Sequence, residues 1–359
     1  MKIKDLCSYA PKSRIKAGEA VENAKYLFFT SSADENKRYT DFQFDKEAII
    51  MGTGGNATLH YYNGKFSVST DCLVLFPNSK IKCKYLYYFF KSHMSVLEAG
   101  FKGAGLKHTN KKYIEEINVS KVPDLSIQEK IVSHLDTITE NIEKLNRELE
   151  LFDSLTKARF IEMFGDPVSN SKHLPLKTLP QLGTFGRGVS KYRPRNAPEL
   201  LNGPYPLIQT GDIANSELYI KNYNNTYSEV GLKQSKMWDK GTLCITIAAN
   251  IAKTAILQFD ACFPDSVVGF NGNNLIDNIF VHYWFSFFQE ILENQAPESA
   301  QKNINLKILS ELQIITPDII EQNQFADFVR QVDKSREAVK KSLEKTQQLY
   351  DSLMQEYFG

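Results

Sequence analysis

The sequence predicts an α+β chain with a pseudo-twofold internal repeat. Two tandem mixed α/β modules are each followed by a long helix, and the two helices pair as an antiparallel coiled coil, the alternative being that each packs on its own module. Three observations predict this. A regular heptad seam runs through the middle of the chain. The sequence matches itself at one offset of about 194 positions. Short apolar runs separated by turn residues precede each helix in the same order.

The first module occupies 1–125. Apolar strands are expected at 26–30, 48–51, 65–69 and 72–76. Gly52-Thr53-Gly54-Gly55-Asn56 and Asn63-Gly64 supply the turns. An aromatic helix is expected over 85–97, a polar Gly-rich loop over 103–107, a short helix over 111–116 and a strand over 117–121 that stops at Pro123. The first long helix then covers 126–165. Ile131, Leu135, Ile138, Ile142, Leu145, Leu149 and Phe152 alternate in steps of four and three, with no Gly or Pro before Gly165. Roughly 38 residues at about 1.5 Å each give a rod on the order of 57 Å long.

Residues 166–175 read as a linker without a packing signal of its own. The second module, 176–318, repeats the plan, with strands at 205–209, 241–248, 255–259, 267–270 and 312–316 and an aromatic helix over 279–292. The second long helix, 319–359, carries Phe325, Val332, Val339 and Leu353 in one line and Leu343, Tyr350 and Tyr357 in another, weakened by Ser335 and Ser342. The repeat itself rests on matched residues. Asn56 recurs as Asn250, Asp71 as Asp265, Pro123-Asp124 as Pro317-Asp318, Gln128 as Gln322, and Phe164-Gly165 as Phe358-Gly359. Phe152-Asp153-Ser154-Leu155 matches Tyr350-Asp351-Ser352-Leu353 about four residues further out, so the two helices are out of step in the middle.

Composition narrows the function classes. The chain has 359 residues, 42% hydrophobic and 24% charged, as in ordinary globular proteins. No apolar run reaches the roughly 18 residues of a membrane span, and the N-terminus lacks a signal-peptide pattern. Five scattered cysteines without a C-x-x-C pair read as reduced thiols and no zinc site. These features point to a cytoplasmic protein without a membrane partner. A phosphate-binding loop, a dinucleotide fingerprint and metal-ligand histidine spacing are all absent from the sequence. The two Pro-Asp dipeptides read as helix starts rather than nuclease carboxylates. His134 reads as a partly solvated neighbour of the seam, His282 as a packing residue, and Cys72 and Cys262 as core. No catalytic or metal-ligating residue is assigned, and a binding protein is expected.

Binding groups cluster at equivalent places. Lys12, Arg14 and Lys16 precede the core of the first module, and Arg187, Lys191, Tyr192, Arg193 and Arg195 that of the second. Such cations neutralise phosphates, and arginine can also fork onto a guanine edge. Asn56, Gln209 and Asn250 lie among small polar loop residues able to read bases or to build turns. The loops carrying Lys107 and His108, and Lys302 and Asn303, are a third candidate surface. The alternative role there is helix capping by Asn110 and Asn305. The net charge of +1 supplies no general attraction to DNA.

These features together resemble the specificity subunit of type I restriction–modification systems. The duplicated Pro-Asp…Gln128…Leu135-Asp136 and Pro-Asp…Gln322…Val332-Asp333 helix starts carry the resemblance, with the helix ends at Phe164-Gly165 and Phe358-Gly359. The body of each module, GTGGNATLHYYNGKFSVSTD and ITIAANIAKTAILQFDACFPDS, carries the rest. The resemblance implies two target recognition domains, each reading half of a bipartite double-stranded DNA site. It implies spacer helices that set the half-site separation and dock two methyltransferase subunits, with restriction subunits added. The chain would be non-catalytic and bind no cofactor. S-adenosylmethionine, ATP and Mg²⁺ would belong to the partner subunits, which would methylate adenine N6 and cleave DNA. A methylation-only specificity subunit is the neighbouring alternative. A coiled-coil protein-binding adaptor is the alternative from a different class, and a hydrolase with unrecognised residues is a third.

Overall fold

A computed structural model describes residues 1–248, 251–295 and 304–359. The chain forms two compact units, Met1–Arg147 with Lys340–Gly359, and Glu148–Val339. The boundary between them falls inside both long helices.

Unit 1 contains strands β1 (Cys7–Tyr9), β2 (Tyr26–Phe29), β3 (Arg38–Tyr39), β4 (Phe44–Asp45), β5 (Ala48–Gly52), β6 (Leu59–Tyr62), β7 (Lys65–Val68) and β8 (Cys72–Pro77). Helices α1 (Cys83–Ser92), α2 (Met94–Ala99), α3 (Lys111–Glu116) and α4 (Leu125–Phe164) follow. Two four-stranded sheets form, in the orders β1-β8-β5-β6 and β3-β2-β7-β4. The apolar run of β5 is explained by burial on both faces. Ala48 and Ile50 face the core shared by the two sheets, while Ile49 and Met51 face the helices.

Unit 2 contains β9 (Leu176–Thr178), α5 (Leu179–Leu182), β10 (Gly183–Arg187), β11 (Leu201–Leu207), α6 (Thr210–Ala214), β12 (Tyr219–Ile220), β13 (Asn225–Tyr227) and α7 (Glu229–Lys233). It continues through β14 (Met237–Trp238), β15 (Leu243–Thr246), β16 (Thr254–Leu257), β17 (Ala261–Cys262), β18 (Val267–Gly272), α8 (Asn278–Gln295), α9 (Leu306–Glu311), β19 (Gln313–Ile315) and α10 (Ile319–Phe358). Its sheets run β10-β18-β15-β16-β12, β13-β11-β17-β14 and β19-β9. Strand β15 repeats the logic of β5: Leu243 and Ile245 face the helices, and Cys244 faces the second sheet.

Each long helix starts on the same buried device. Gln128 is fully buried; its Nε2 donates to the Pro123 and Lys80 carbonyls, and its Oε1 accepts from the Lys82 N–H. Gln322 is also fully buried, donating to the Pro317 and Leu275 carbonyls and accepting from the Asp277 N–H. One side chain thus satisfies three backbone groups that water cannot reach. Asp318 Oδ1 accepts from the Ile320 N–H at 2.8 Å and so caps its helix start, whereas Asp124 takes part through its backbone carbonyl, which accepts from the Gln128 N–H at 3.0 Å.

The helices pair within each unit. In unit 1, Ile131, Leu135, Ile138 and Ile142 share a core with Tyr350, Leu353, Met354, Tyr357 and Phe358. In unit 2, Phe160 and Phe164 meet Phe325 edge to face at 5.4 and 5.7 Å, and Asp153 meets Arg336, so the two helices run antiparallel there. Burial is strongest toward the helix ends. Leu145, Leu149, Phe152, Val339 and Leu343 are only half-buried, whereas Phe160, Phe164, Met354 and Phe358, outside the seam, are buried. The ends pack on β-sheet modules as well as on each other, which a heptad count does not see.

Three expectations change and one is sharpened. Residues 117–121 form no strand; Asn118 makes a single bridge to Lys2, and the Val119 N–H donates to the Met1 carbonyl. The aromatic helix of unit 1 breaks at His93, whose ring stacks on Phe89 at 4.4 Å and whose Nδ1 lies 3.0 Å from the Phe89 carbonyl. Both long helices have 40 residues, so the four-residue mismatch shifts side chains without changing length. The segment after α4 is not an unanchored linker: Lys172 Nζ caps the Glu162 and Met163 carbonyls, and Asp166 accepts from Ser169 and Val168. Gly165, at φ +75°, ends the helix in the left-handed region.

Candidate nucleic-acid interface

In unit 1 the loop carrying Lys12, Arg14 and Lys16 is fixed by its intervening residues. Ser13 is buried and accepts from Gln43 Nε2 at 2.9 Å, and the Ile15 carbonyl accepts from the Thr70 N–H at 2.8 Å. Alternation then leaves the three cations exposed. None of them forms an ion pair among the described residues. The same turn at Asp71 anchors a second loop: its carbonyl accepts from the Ser31 and Thr53 hydroxyls and the Thr53 N–H. A third loop joins through the Thr109 N–H to the Thr53 carbonyl and the Gly55 N–H to the Lys107 carbonyl, at 3.0 and 2.9 Å. Gly54 lies against the His108 ring, where an added Cβ would come within 3.2 Å. Lys12, Arg14, Lys16, Asn56, Lys107 and His108 therefore sit on loops wired into one network.

Unit 2 builds its basic loop differently. Gly188 passes so close to Phe263 that a Cβ would meet its carbonyl oxygen at 2.2 Å. Beyond it, the Lys191 and Tyr192 N–H groups both donate to Gln234 Oε1, at 2.7 and 3.0 Å. Arg193 donates to the Ser190 and Tyr192 carbonyls and lies 3.6 Å from Asp265. Arg195 donates to Asp265 at 2.5 Å. Tyr192 donates its hydroxyl to Glu199. Arg195 and Gln209, with Thr210 and Ser266, line a depression of about 290 Å³. Gln209 Oε1 accepts from Asn225 at 3.3 Å. Arg187 is exposed at the end of β10. Asn250, Lys302 and Asn303 lie outside the described residues.

The arginines are thus not the free cations the sequence presented. Asp265 compensates them, at a partly exposed position where a pair contributes roughly 0–1 kcal/mol. A phosphate can displace such a carboxylate. Gln234 and Asp265 shape this surface from 43 and 70 residues away in sequence. Asp265 was visible as a repeat position, whereas nothing in the local sequence marked Gln234. Asn110 and Asn305 both cap helices, accepting from the Tyr113 and Ile308 N–H groups at 3.0 and 2.9 Å.

Other reactive groups are tied down. All five cysteines are free and buried, and burial pushes the Cys7 and Cys72 thiols up to about 12 and about 11, away from thiolate chemistry. His282 bonds Thr254 at 2.9 Å, and burial lowers its pKa to about 4. His134 is exposed and lies 3.1 Å from the Tyr357 hydroxyl. Glu217, Asp333 and Glu337 converge within 4.8 Å. Cations already serve them, with Lys221 at 2.7 Å from Glu337 and Arg336 at 3.5 Å from Glu217. Burial raises the Asp333 carboxyl. Among the described residues, no helix is long and apolar enough to cross a membrane.

Comparisons agree with this architecture. A family model for the type I restriction modification DNA specificity domain matches residues 1–151 and again 178–348. The type I restriction enzyme EcoDI specificity subunit of Escherichia coli is 23% identical over 389 aligned positions, covering 96% of this chain and 84% of that protein. The MpnII specificity subunit of Mycoplasma pneumoniae is 34% identical over 145, covering 37% of this chain and 41% of the relative. In fold, the chain is similar to the crystal structure of a type I restriction–modification S subunit from M. genitalium. The TM-score is 0.71 at 16% identity, covering 99% of this chain and 94% of that one.

Proposed function

We propose, from the premise that this chain belongs to the type I restriction–modification DNA specificity family, that each of its units reads one half of a bipartite double-stranded DNA target. The family's specificity subunits are not catalytic; methyl transfer and cleavage reside in partner subunits. The observation that carries the reading is the duplication. Two domain matches coincide with two modules, each ending on the same buried glutamine and a 40-residue helix.

In unit 1 the contacts would come from Lys12, Arg14, Lys16, Asn56, Lys107 and His108. In unit 2 they would come from Arg187, Lys191, Tyr192, Arg193, Arg195 and Gln209. Cations bring the chain to the backbone, and amide and guanidinium groups discriminate base edges. The paired helices α4 and α10 serve as the spacer and as the docking site for two methyltransferase subunits. Restriction subunits complete the complex in the cytoplasm. This chain holds no cofactor of its own; S-adenosylmethionine, ATP and Mg²⁺ belong to those partners.

Adenine methylation mapped genome-wide in a host expressing this chain with its methyltransferase tests the reading. One interrupted motif, lost when the chain is deleted, is expected. An unaltered methylation pattern would overturn it. Salt-sensitive, sequence-specific binding of the purified complex to that motif separates DNA reading from a protein-binding adaptor role.

A further inference from the structure

Unit 1 holds an acidic depression of about 320 Å³ between β6, α1 and α4, away from the loops assigned to DNA. Four carboxylates line it, Glu35, Asp136, Glu140 and Glu143, against the two cations Lys84 and Lys91. Asp136 is already used, by Lys84 at 2.8 Å and the Tyr88 hydroxyl at 2.6 Å. Glu140 and Glu143 make no hydrogen bond among the described residues. His60, also in the lining, is 6% exposed; its Nδ1 meets Glu35 at 2.9 Å, and its Nε2 is buried without a hydrogen-bond partner. With Nδ1–H donated to Glu35, that Nε2 is an acceptor with nothing to accept.

Unit 2 shows what such a place takes. His60 and Tyr88 correspond by the 194-residue offset to Thr254 and His282, and along the long helices, where Leu135-Asp136 matches Val332-Asp333, Asp136 and Glu140 correspond to Asp333 and Glu337. Thr254 and His282 line the equivalent depression, of about 270 Å³. There the chain supplies its own guanidinium. Arg336 has a side chain only 9% exposed and donates to Asp153 at 2.6 Å and Glu217 at 3.5 Å. By the same match the residue corresponding to Arg336 in unit 1 is Thr139, which lines the depression. Unit 1 thus keeps the carboxylates and an orphan acceptor and lacks the arginine.

We propose that the unit 1 depression receives an arginine side chain from a partner protein, whose N–H groups donate to Glu140, Glu143 and His60 Nε2. Resting on the assembly reading above, the partner is the methyltransferase subunit that docks on this unit. A planar, permanently charged five-donor group suits several converging acceptors better than an ammonium. The two methyltransferase copies then dock on unlike sites, one closed by Arg336 and one open.

Native mass spectrometry of the full chain titrated with the methyltransferase subunit tests this. The unaltered chain takes two copies. E140Q/E143Q, two exposed positions, weakens one of the two sites at least tenfold and leaves the other unchanged. T139R, at a position lining the depression, places a guanidinium there from within and weakens the same site. E22Q/E98Q removes equal charge at two exposed positions of the same unit, off the long helices and outside the depression, and changes neither. Unaltered affinity at both sites in E140Q/E143Q overturns the proposal, as does an equal loss in E22Q/E98Q. Failure of the unaltered chain to take any methyltransferase defeats the assembly reading itself, and this proposal with it.

Discussion

The two units solve one problem identically and another in opposite ways. At the root of each long helix, Gln128 and Gln322 make the same three bonds to equivalent carbonyls and N–H groups. At the basic loops they diverge: unit 1 leaves Lys12, Arg14 and Lys16 open to solvent, while unit 2 holds Arg193 and Arg195 on Asp265. The equivalent aspartate of unit 1, Asp71, works through its backbone carbonyl. The difference teaches that duplication preserved the buried framework, where each polar group must be satisfied, and released the surface, where solvent satisfies any arrangement.

The strongest way to break the comparison is at the glutamines. Gln128→Ala and Gln322→Ala each strand buried backbone groups, and each should cost about 3 kcal/mol of stability in its own unit. Denaturant unfolding of the two single variants measures both; a cost in one variant and none in the other would show that the shared geometry is not shared energetics.

A smaller effect separates the units by pH. The His282 pKa in the folded chain, about 4, lies below its ordinary 6.5, so the unfolded chain takes up the proton first. Its contribution to unit 2 is full above about pH 6.5 and is lost as pH falls toward 4, by at most roughly 3 kcal/mol. Hydrogen exchange resolved by unit should show unit 2 loosening over that interval, and His282→Gln should remove this part of the dependence. An unchanged pH dependence in the variant would mean the group is not buried neutral.

The basic loops sharpen the comparison further. R193A/R195A should weaken DNA binding about tenfold, roughly 1.4 kcal/mol, and lower the salt slope by about one to two, with unit 2 still folded. Asp265→Asn should strengthen non-specific binding by a few-fold, since both guanidiniums are released. Lys12→Ala, removing one uncompensated exposed cation, should cost a few tenths of a kcal/mol and less than one in slope. Binding isotherms across salt concentrations on matched and unrelated duplexes distinguish the three.

Much of the framework was legible in the residues. Seam periodicity located the first long helix, and the repeat offset pointed to the second, because the helix period is written into burial of apolar side chains. Capping by Asn110 and Asn305 was weighed as one of two roles and is the one observed, since capping is local chemistry. The residues that close the helix ends, Phe160, Phe164, Met354 and Phe358, fell off the heptad line, because they pack on sheets rather than in a two-helix seam.

By itself, then, the sequence determined the duplication, the helix lengths and the candidate DNA-facing cations, all of which depend on composition and spacing along the chain. Tertiary structure alone decided which cations are free. Asp265 reaches Arg195 across 70 positions, and Gln234 reaches Lys191 across 43. Only folding brings such groups within hydrogen-bond distance, where electrostatics and desolvation rather than periodicity set their state.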